Sequence, residues 1–96
     1  MEKLKSEKKI TLSEFWNSRE ILTIHCNTEE KAKTLLRAFD KLGKKWCNGD
    51  SYLGDSEYKR YHQYTCYSND REYSDCDWYN NHGCTIYEFD EVDLDK

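Results

Sequence analysis

The feature that most constrains the fold is an amphipathic stretch between Thr28 and Gly43. Asn27 or Thr28 can cap a helix there, and Gly43 can end it. At about 100° per residue, the apolar positions occupy an arc of about 120° on the helix surface. These positions are Ala32, Leu35, Leu36, Phe39 and Leu42. A helix with one apolar stripe must bury it, so the rest of the chain has to supply a second layer.

Short strands are the best candidates for that layer. Runs rich in β-branched and aromatic residues, bounded by turn formers, predict strands at 21–26, 45–47, 63–68 and 85–89. We expect a short helical turn at 11–18 and a short helix at 75–81, the latter started by a Ser74-x-x-Asp77 capping box. A strand is the alternative at 75–81. Residues 49–62 show no period and are interpreted as a loop. This order predicts an α+β fold, with one main helix packed on a mostly antiparallel sheet of about four strands.

The chain has 96 residues, which fits one domain. We expect a flexible segment at 1–9, a single domain at 10–96 and, within it, an acidic tail from residue 90. Leu, Ile, Val and Phe number only 16. Eight Tyr and three Trp must therefore supply much of the buried area, since each aromatic ring can bury about 150–250 Å².

The sequence predicts a protein of a reducing cytoplasm. No stretch approaches the roughly 20 apolar residues that span a bilayer, and the N-terminus has no signal-peptide pattern. The five cysteines, an odd number, indicate free thiols and not a disulfide framework.

Metal binding and catalysis are both disfavoured by spacing. His25 and Cys26 are adjacent, so on a strand they point to opposite faces, and no close Cys–Cys or His–His ligand pair exists. No glycine-rich nucleophile turn is present, and a chain this short has little room for an enclosed pocket. We therefore predict a non-enzyme with no catalytic residues, no metal ligands and no cofactor.

A basic stripe formed by Lys33, Arg37 and Lys41 lies opposite the apolar face of the long helix. It is a candidate ligand-binding surface for a nucleotide or nucleic acid. The alternative is a solvated face supported by the i, i+4 pair Glu29–Lys33. The isoelectric point near 5.3 argues against direct nucleic-acid binding.

Two groups of acidic residues are more informative. One follows residue 87, and the other, at 70–77, is interleaved with aromatic residues. On one face, both groups together could engage a basic cleft, with the aromatic rings as buried anchors. The alternative is that the charges only maintain solubility. The predicted partner-binding residues are Glu88, Asp90, Glu91, Asp93, Trp78, Tyr79, Asp75 and Asp77.

The charges are also unevenly distributed along the chain. Residues 28–45 carry a net charge of +3 and residues 46–96 about −8. Such a split could dock one copy on another or the tail on its own helix, so a homo-oligomer and a self-assembling structural protein stay open.

Several segments, in this order, resemble small proteins encoded by bacteriophages and prophages of Gram-positive bacteria. They are Ile24-His25-Cys26-x-Thr28-Glu29-Glu30-x-Ala32, Gly43-Lys44-Lys45-Trp46-x-x-Gly49-Asp50-Ser51-Tyr52-Leu53, Thr65-Cys66-Tyr67, Trp78-Tyr79-x-x-x-Gly83 and Ile86-Tyr87-Glu88-Phe89. The resemblance supplies no site residues, but it implies a context.

Small acidic phage proteins are often inhibitors of host machinery, and the chain is similar in profile to anti-CRISPR proteins. The resemblance implies an inhibitor of a host defence protein such as a Cas nuclease, acting in the bacterial cytoplasm and blocking a basic nucleic-acid-binding surface. The alternative is an anti-defence protein that sequesters a nucleotide signal on its basic helix face.

Overall fold

The computed structural model describes residues 10–54 and 56–94. The segment predicted to be flexible, 1–9, lies outside the described residues. The helices are α1 (Leu12–Asn17), α2 (Glu29–Lys41), α3 (Tyr58–Tyr61) and α4 (Cys76–Asn81). The strands are β1 (Ile10–Thr11), β2 (Leu22–His25), β3 (Thr65–Ser68), β4 (Tyr73–Asp75), β5 (Thr85–Glu88) and β6 (Val92–Asp93). Short 3-10 helices occupy His62–Tyr64 and Phe89–Glu91.

Four strands form a mixed sheet in the order β4-β3-β2-β5. Strand β3 runs antiparallel to β2 and β4, whereas β2 and β5 are parallel. The chain passes from β4 at one edge through α4 to β5 at the other edge. Strands β1 and β6 form a separate parallel pair. The predicted α+β class with about four strands is confirmed, and two of the three pairings are antiparallel.

Helix α2 follows the predicted pattern because its ends are locally encoded. The Thr28 side chain accepts a hydrogen bond from the Lys31 amide at 3.2 Å, which caps the helix. Gly43 takes a φ of +80°, the left-handed conformation common just past a helix end. Ala32, Leu35, Leu36 and Phe39 are buried. Leu42 was predicted in the same apolar stripe but is 50% exposed, because it lies beyond the last helical residue.

The core between α2 and the sheet is largely aromatic, as the composition indicated. The ring of Phe39 stacks on Phe15 with centroids 5.8 Å apart and meets Tyr52 at 5.2 Å. Trp46 continues this cluster to Tyr52 at 4.6 Å and to Tyr73 at 5.5 Å. The aromatic rings therefore carry the core from helix α2 to edge strand β4.

The opposite face of the sheet is covered by the short helix α4. Thr23, Cys66 and Ser68 are fully buried there, and Tyr79 of α4 is 2% exposed. Helix α4 is capped by Asp75, which accepts a hydrogen bond from the Trp78 amide at 2.8 Å. The predicted cap was Ser74, one residue earlier. A carboxylate is an equally good N-cap, so the sequence pattern did not distinguish the two residues.

Other predictions for the chain between α2 and β3 were wrong. The predicted strand at 45–47 is a turn that contributes only the isolated bridge between Lys45 and Ser51. Within 49–62, interpreted as a loop, the structure forms α3, which begins after Glu57 in the left-handed conformation. A single helical turn is too short to show a hydrophobic period.

The acidic tail expected from residue 90 is partly built into the fold. Val92 pairs with Ile10 between β6 and β1 and is 9% exposed. Leu94 packs against the same core. One buried apolar residue among several carboxylates was too weak a signal to predict this pairing.

Candidate functional site

The two acidic groups lie at opposite edges of the four-stranded sheet. The C-terminal group begins at the last residue of β5, whereas Asp70, Glu72, Asp75 and Asp77 lie within or beside β4. Three strand spacings of about 4.8 Å place the two edges about 14 Å apart. Each group therefore forms a surface of its own.

In the C-terminal group, Glu88 is held by a neighbouring strand. Its Oε1 lies 2.8 Å from Nδ1 of His25, its partner in the β2–β5 ladder. The other ring nitrogen of His25 lies 2.6 Å from the backbone oxygen of Gln63. The ring of His25 therefore connects the end of β5 to the 3-10 helix at His62–Tyr64.

The next carboxylates of this group are also used within the fold. Asp90 forms an ion pair with Lys31 of α2, with Nζ and Oδ2 3.3 Å apart. Glu91 accepts a hydrogen bond from the Glu88 amide at 2.8 Å. Asp93 lies in β6. The Lys31–Asp90 pair is a contact of the kind that the charge split indicated, between the acidic tail and its own helix.

The carboxylates around β4 are less engaged. Asp75 caps α4, and Asp70 accepts a hydrogen bond from the hydroxyl of Ser68. Within residues 10–54 and 56–94, none of the four carboxylates Asp70, Glu72, Asp75 and Asp77 forms an ion pair. We call this surface the acidic edge; its residues are Tyr64, Asp70, Glu72, Asp75, Asp77 and Trp78.

Two shallow grooves mark the acidic edge. One, of about 350 Å³, is lined by Arg60, Tyr61, His62, Tyr64, Asp75 and Asp77. The other, of about 210 Å³, is lined by Asp70, Glu72, Tyr73, Ser74, Trp78 and Tyr79. Each groove thus combines two carboxylates with an exposed ring, since Tyr64 is 59% and Trp78 48% exposed.

Trp78 and Tyr79 were both predicted as anchors, but the structure separates them. The Trp78 ring stacks on His82 with centroids 3.9 Å apart and an interplanar angle of 19°. Tyr79 is buried and donates a hydrogen bond to Ser68 Oγ at 3.0 Å. Burial raises the pKa of Tyr79 above its ordinary value. Trp78 is therefore available to a partner, whereas Tyr79 holds α4 on the sheet.

A larger cleft of about 460 Å³ adjoins the acidic edge and was not predicted. Its walls include Trp46 and Tyr73, and its rim carries Glu57 and Arg71. The Tyr73 hydroxyl donates to Glu57 Oε1 at 3.1 Å. Glu57 and Arg71 have φ values of +61° and +68°, conformations that are costly for residues other than glycine. No sequence period marks this cleft, because irregular segments build most of it.

The basic stripe of α2 lies between two further grooves. Arg37 contributes to both, one of about 290 Å³ with Leu53 and one of about 470 Å³ with Leu42 and Leu94. Its guanidinium lies 3.4 Å from the hydroxyl of Thr34. Lys33 pairs with Glu29 at 3.9 Å, and Lys41 lines the larger groove. The stripe is therefore an exposed basic ridge with a groove on each side.

The cysteine, histidine and carboxylate side chains do not form a metal-binding cluster in the described residues, and two of the thiols are buried. In the part of the chain that the structure describes, no three His, Cys, Asp or Glu side chains are placed to hold a metal ion. Cys26 and Cys66 are buried, and burial raises the pKa of each thiol. Cys47, which lies in the predicted strand at 45–47, is exposed in the turn after Trp46.

No family model, curated protein sequence or solved structure matches the chain. Among the described residues, no helix has the length and apolar character needed to cross a membrane.

Proposed function

We propose that the protein is a non-enzymatic inhibitor that works by binding a basic surface of another protein, and that the acidic edge is its contact surface. In the phage context that the sequence resemblance implies, the partner is a host defence protein such as a Cas nuclease. The inhibitor would act in the bacterial cytoplasm and occupy the groove that normally receives nucleic acid.

The observation that supports the acidic edge is its set of carboxylates without ion pairs beside exposed rings. Asp77 and Glu72 can pair with a partner's cations without giving up an internal one. Glu88 and Asp90 would first have to release His25 and Lys31. Trp78 and Tyr64 supply the apolar contact area that a charged surface alone lacks. Opposite charges on the two partners would speed their association, most strongly at low salt.

Two variants with matched charge changes test this proposal. The edge variant carries Asp70→Asn, Glu72→Gln, Asp75→Asn and Asp77→Asn. The control variant carries Glu88→Gln, Asp90→Asn, Glu91→Gln and Asp93→Asn. Each loses four negative charges, and asparagine at position 75 can still cap α4.

Partners are first captured with the wild-type protein from lysate of a defence-bearing Gram-positive host. Affinity for the purified partner is then measured at several salt concentrations. We expect the edge variant to bind at least about tenfold more weakly, with a flatter salt dependence, and the control variant to keep most of the affinity. Equal losses in both variants would show that only net charge matters, and unchanged affinity of a folded edge variant would refute the proposal.

A second candidate is the binding of a nucleotide signal on the basic ridge. The two grooves on either side of Arg37 favour it, because a phosphate could contact the guanidinium while a base lies on Leu53 or Leu42. A rise in melting temperature with cyclic dinucleotides that is abolished by Arg37→Ala would support this function. No rise at millimolar ligand would exclude those nucleotides.

A further inference from the structure

The thiols of Cys66 and Cys76 lie in direct contact on the α4 side of the sheet. Their sulfur atoms are 2.9 Å apart, and the residues are 10 positions apart in the chain. Cys66 lies within β3, and Cys76 is the first residue of α4. A disulfide bond has an S–S length of about 2.05 Å, so the two sulfurs are less than about 1 Å from bonding distance.

The backbone fixes this contact from both sides. In the β3–β4 ladder Cys66 pairs with Ser74, two residues before Cys76. Asp75 then caps α4 and sets the direction in which the helix leaves the strand. The positions of both residues are therefore set by the strand ladder and the helix cap.

We propose that Cys66 and Cys76 are a modification site at which the chain forms an intramolecular disulfide by exchange with a low-molecular-weight disulfide. The inference is independent of the proposed function. It also qualifies the expectation of free thiols, because one bonded pair among the five cysteines leaves three thiols free.

The two cysteines have different parts in the exchange. Cys76 is partly exposed and Cys66 is buried, so the Cys76 thiolate attacks the small disulfide first. That step forms a mixed disulfide and releases one small thiol. Cys66 then loses its proton and attacks Cys76 Sγ, which expels the second small thiol. The protein loses two protons and two electrons, and one small disulfide takes them up to become two thiols.

The burial of the pair affects the rate of this reaction. Burial raises the pKa of both thiols, and the thiolate is the attacking species. Formation is therefore slow at neutral pH and faster as the pH rises. The exposed Cys47 has unhindered access to the reagent and serves as an internal reference for its reactivity.

The bond would join α4 to β3 within the acidic edge. Cys76 lies between Asp75 and Asp77, so the oxidised protein presents these two carboxylates on a tethered segment. Closing a loop of about 11 residues restricts the unfolded chain, and we expect the melting temperature to rise by about 10 °C.

Peptide mapping tests the proposal directly. The native full-length protein is incubated with oxidised glutathione at pH 8, and free thiols are then alkylated under denaturing conditions. Trypsin cleaves after Arg71, between the two cysteines, so the bond joins two peptides. Cleavage before Asp77 separates Cys76 from Cys84. Because cleavage before aspartate also occurs at Asp70 and Asp75, we expect residues 61–69 linked to the dipeptide 75–76, with a mass 2 Da below that of the two reduced peptides together.

Variants provide the matched controls. Cys47→Ser should leave the linked peptide and the rise in melting temperature unchanged, whereas Cys76→Ser should abolish both. Because Cys66→Ser alters a buried site, the mapping of the wild-type protein decides the case if that variant does not fold. A bond between any other cysteines, or a Cys66–Cys76 pair still fully alkylated after Cys47 has exchanged completely, would overturn the proposal.

Discussion

His25 and Glu88 are adjacent across the parallel strands β2 and β5, with Nδ1 and Oε1 2.8 Å apart, although 63 residues separate them in the chain. His25 is 18% exposed at its side chain and Glu88 58%. The contact holds a carboxylate of the C-terminal acidic group against the body of the protein. Glu88 therefore has a structural role, in addition to the partner-binding role that the sequence predicts.

Replacing Glu88 with Ala should lower the free energy of unfolding by about 1 kcal/mol, because the substitution removes a partly exposed hydrogen bond to His25. Urea unfolding measures this change. Glu29→Ala, which removes an exposed i, i+4 pair with Lys33, is the control and should cost no more than about 0.5 kcal/mol. Equal effects of the two substitutions would show that the His25 contact adds nothing.

Tyr79→Phe should destabilise the protein by about 1 kcal/mol, because the hydroxyl donates a buried hydrogen bond to Ser68. Ser68 keeps its contact with the Glu72 backbone oxygen, so its hydroxyl is not left unpaired. The neighbouring Trp78→Phe should change stability by less than about 0.5 kcal/mol, since that ring is half exposed. Guanidinium unfolding of both variants compares them, and a larger effect at Trp78 would contradict the assigned positions.

Stability should fall at alkaline pH. Burial raises the pKa of Cys26, Cys66, Tyr52 and Tyr79 in the folded protein. In the unfolded chain, thiols ionise near about pH 8.5 and tyrosines near about pH 10. The stabilisation from these neutral groups is fully present below those values and is lost as the pH rises above them.

Melting temperatures between pH 7 and 10.5 check this expectation. We expect a plateau to about pH 8, followed by a decline that steepens near pH 10. Tyr79→Phe should make this decline less steep above pH 10, because it removes one ionising group. In free energy of unfolding, the slope should change by up to about 1.4 kcal/mol per pH unit. A melting temperature that stays constant to pH 10.5 would rule out the burial of these groups.

Gly43→Ala should cost about 1 kcal/mol, because the residue has a φ of +80° at the end of α2 and alanine is strained there. Gly54→Ala is the matched control. The backbone of Gly54 is not in the left-handed conformation. A Cβ added there would lie 3.6 Å from the Ser51 backbone oxygen, which is an ordinary van der Waals contact. Differential scanning calorimetry should show a lower melting temperature for the first variant only, and a comparable loss at Gly54 would oppose this explanation.

Val92→Ser should destabilise the protein by about 1–2 kcal/mol, because Val92 is buried where β6 meets β1. In a free acidic tail the same change would have no effect. Asp90→Asn, two residues earlier, removes only the surface pair with Lys31 and should cost no more than about 1 kcal/mol. Chemical denaturation of both variants distinguishes a docked C-terminus from a free one.

Local signals predicted parts of this fold well. The cap at Thr28, the apolar spacing and the stop at Gly43 define α2 without reference to the rest of the chain. The strand composition of 21–26, 63–68 and 85–89 located β2, β3 and β5 to within a few residues. The predicted strand at 45–47 was wrong, because a run of three residues cannot show whether a neighbouring strand is present to pair with it.

The candidate site was harder to predict from the sequence than the helix and strands, because it depends on tertiary packing. Sequence reasoning placed Asp75, Asp77 and Trp78 in an acidic-aromatic group, and the structure keeps them on one edge. It left open a contact between the tail and its own helix, but it did not identify His25 and Lys31 as the partners of Glu88 and Asp90, because those contacts join residues about 60 positions apart. The proposed contact surface moves to the β4 edge for that reason.

The sequence by itself determined the long amphipathic helix, the aromatic core and the acidic character, since each depends on residue type and short-range spacing. Only the tertiary structure decided which carboxylates are paired and which of two adjacent rings is exposed. Trp78 and Tyr79 are neighbours on one helix and point about 100° apart, so the way α4 lies on the sheet buries one ring and presents the other.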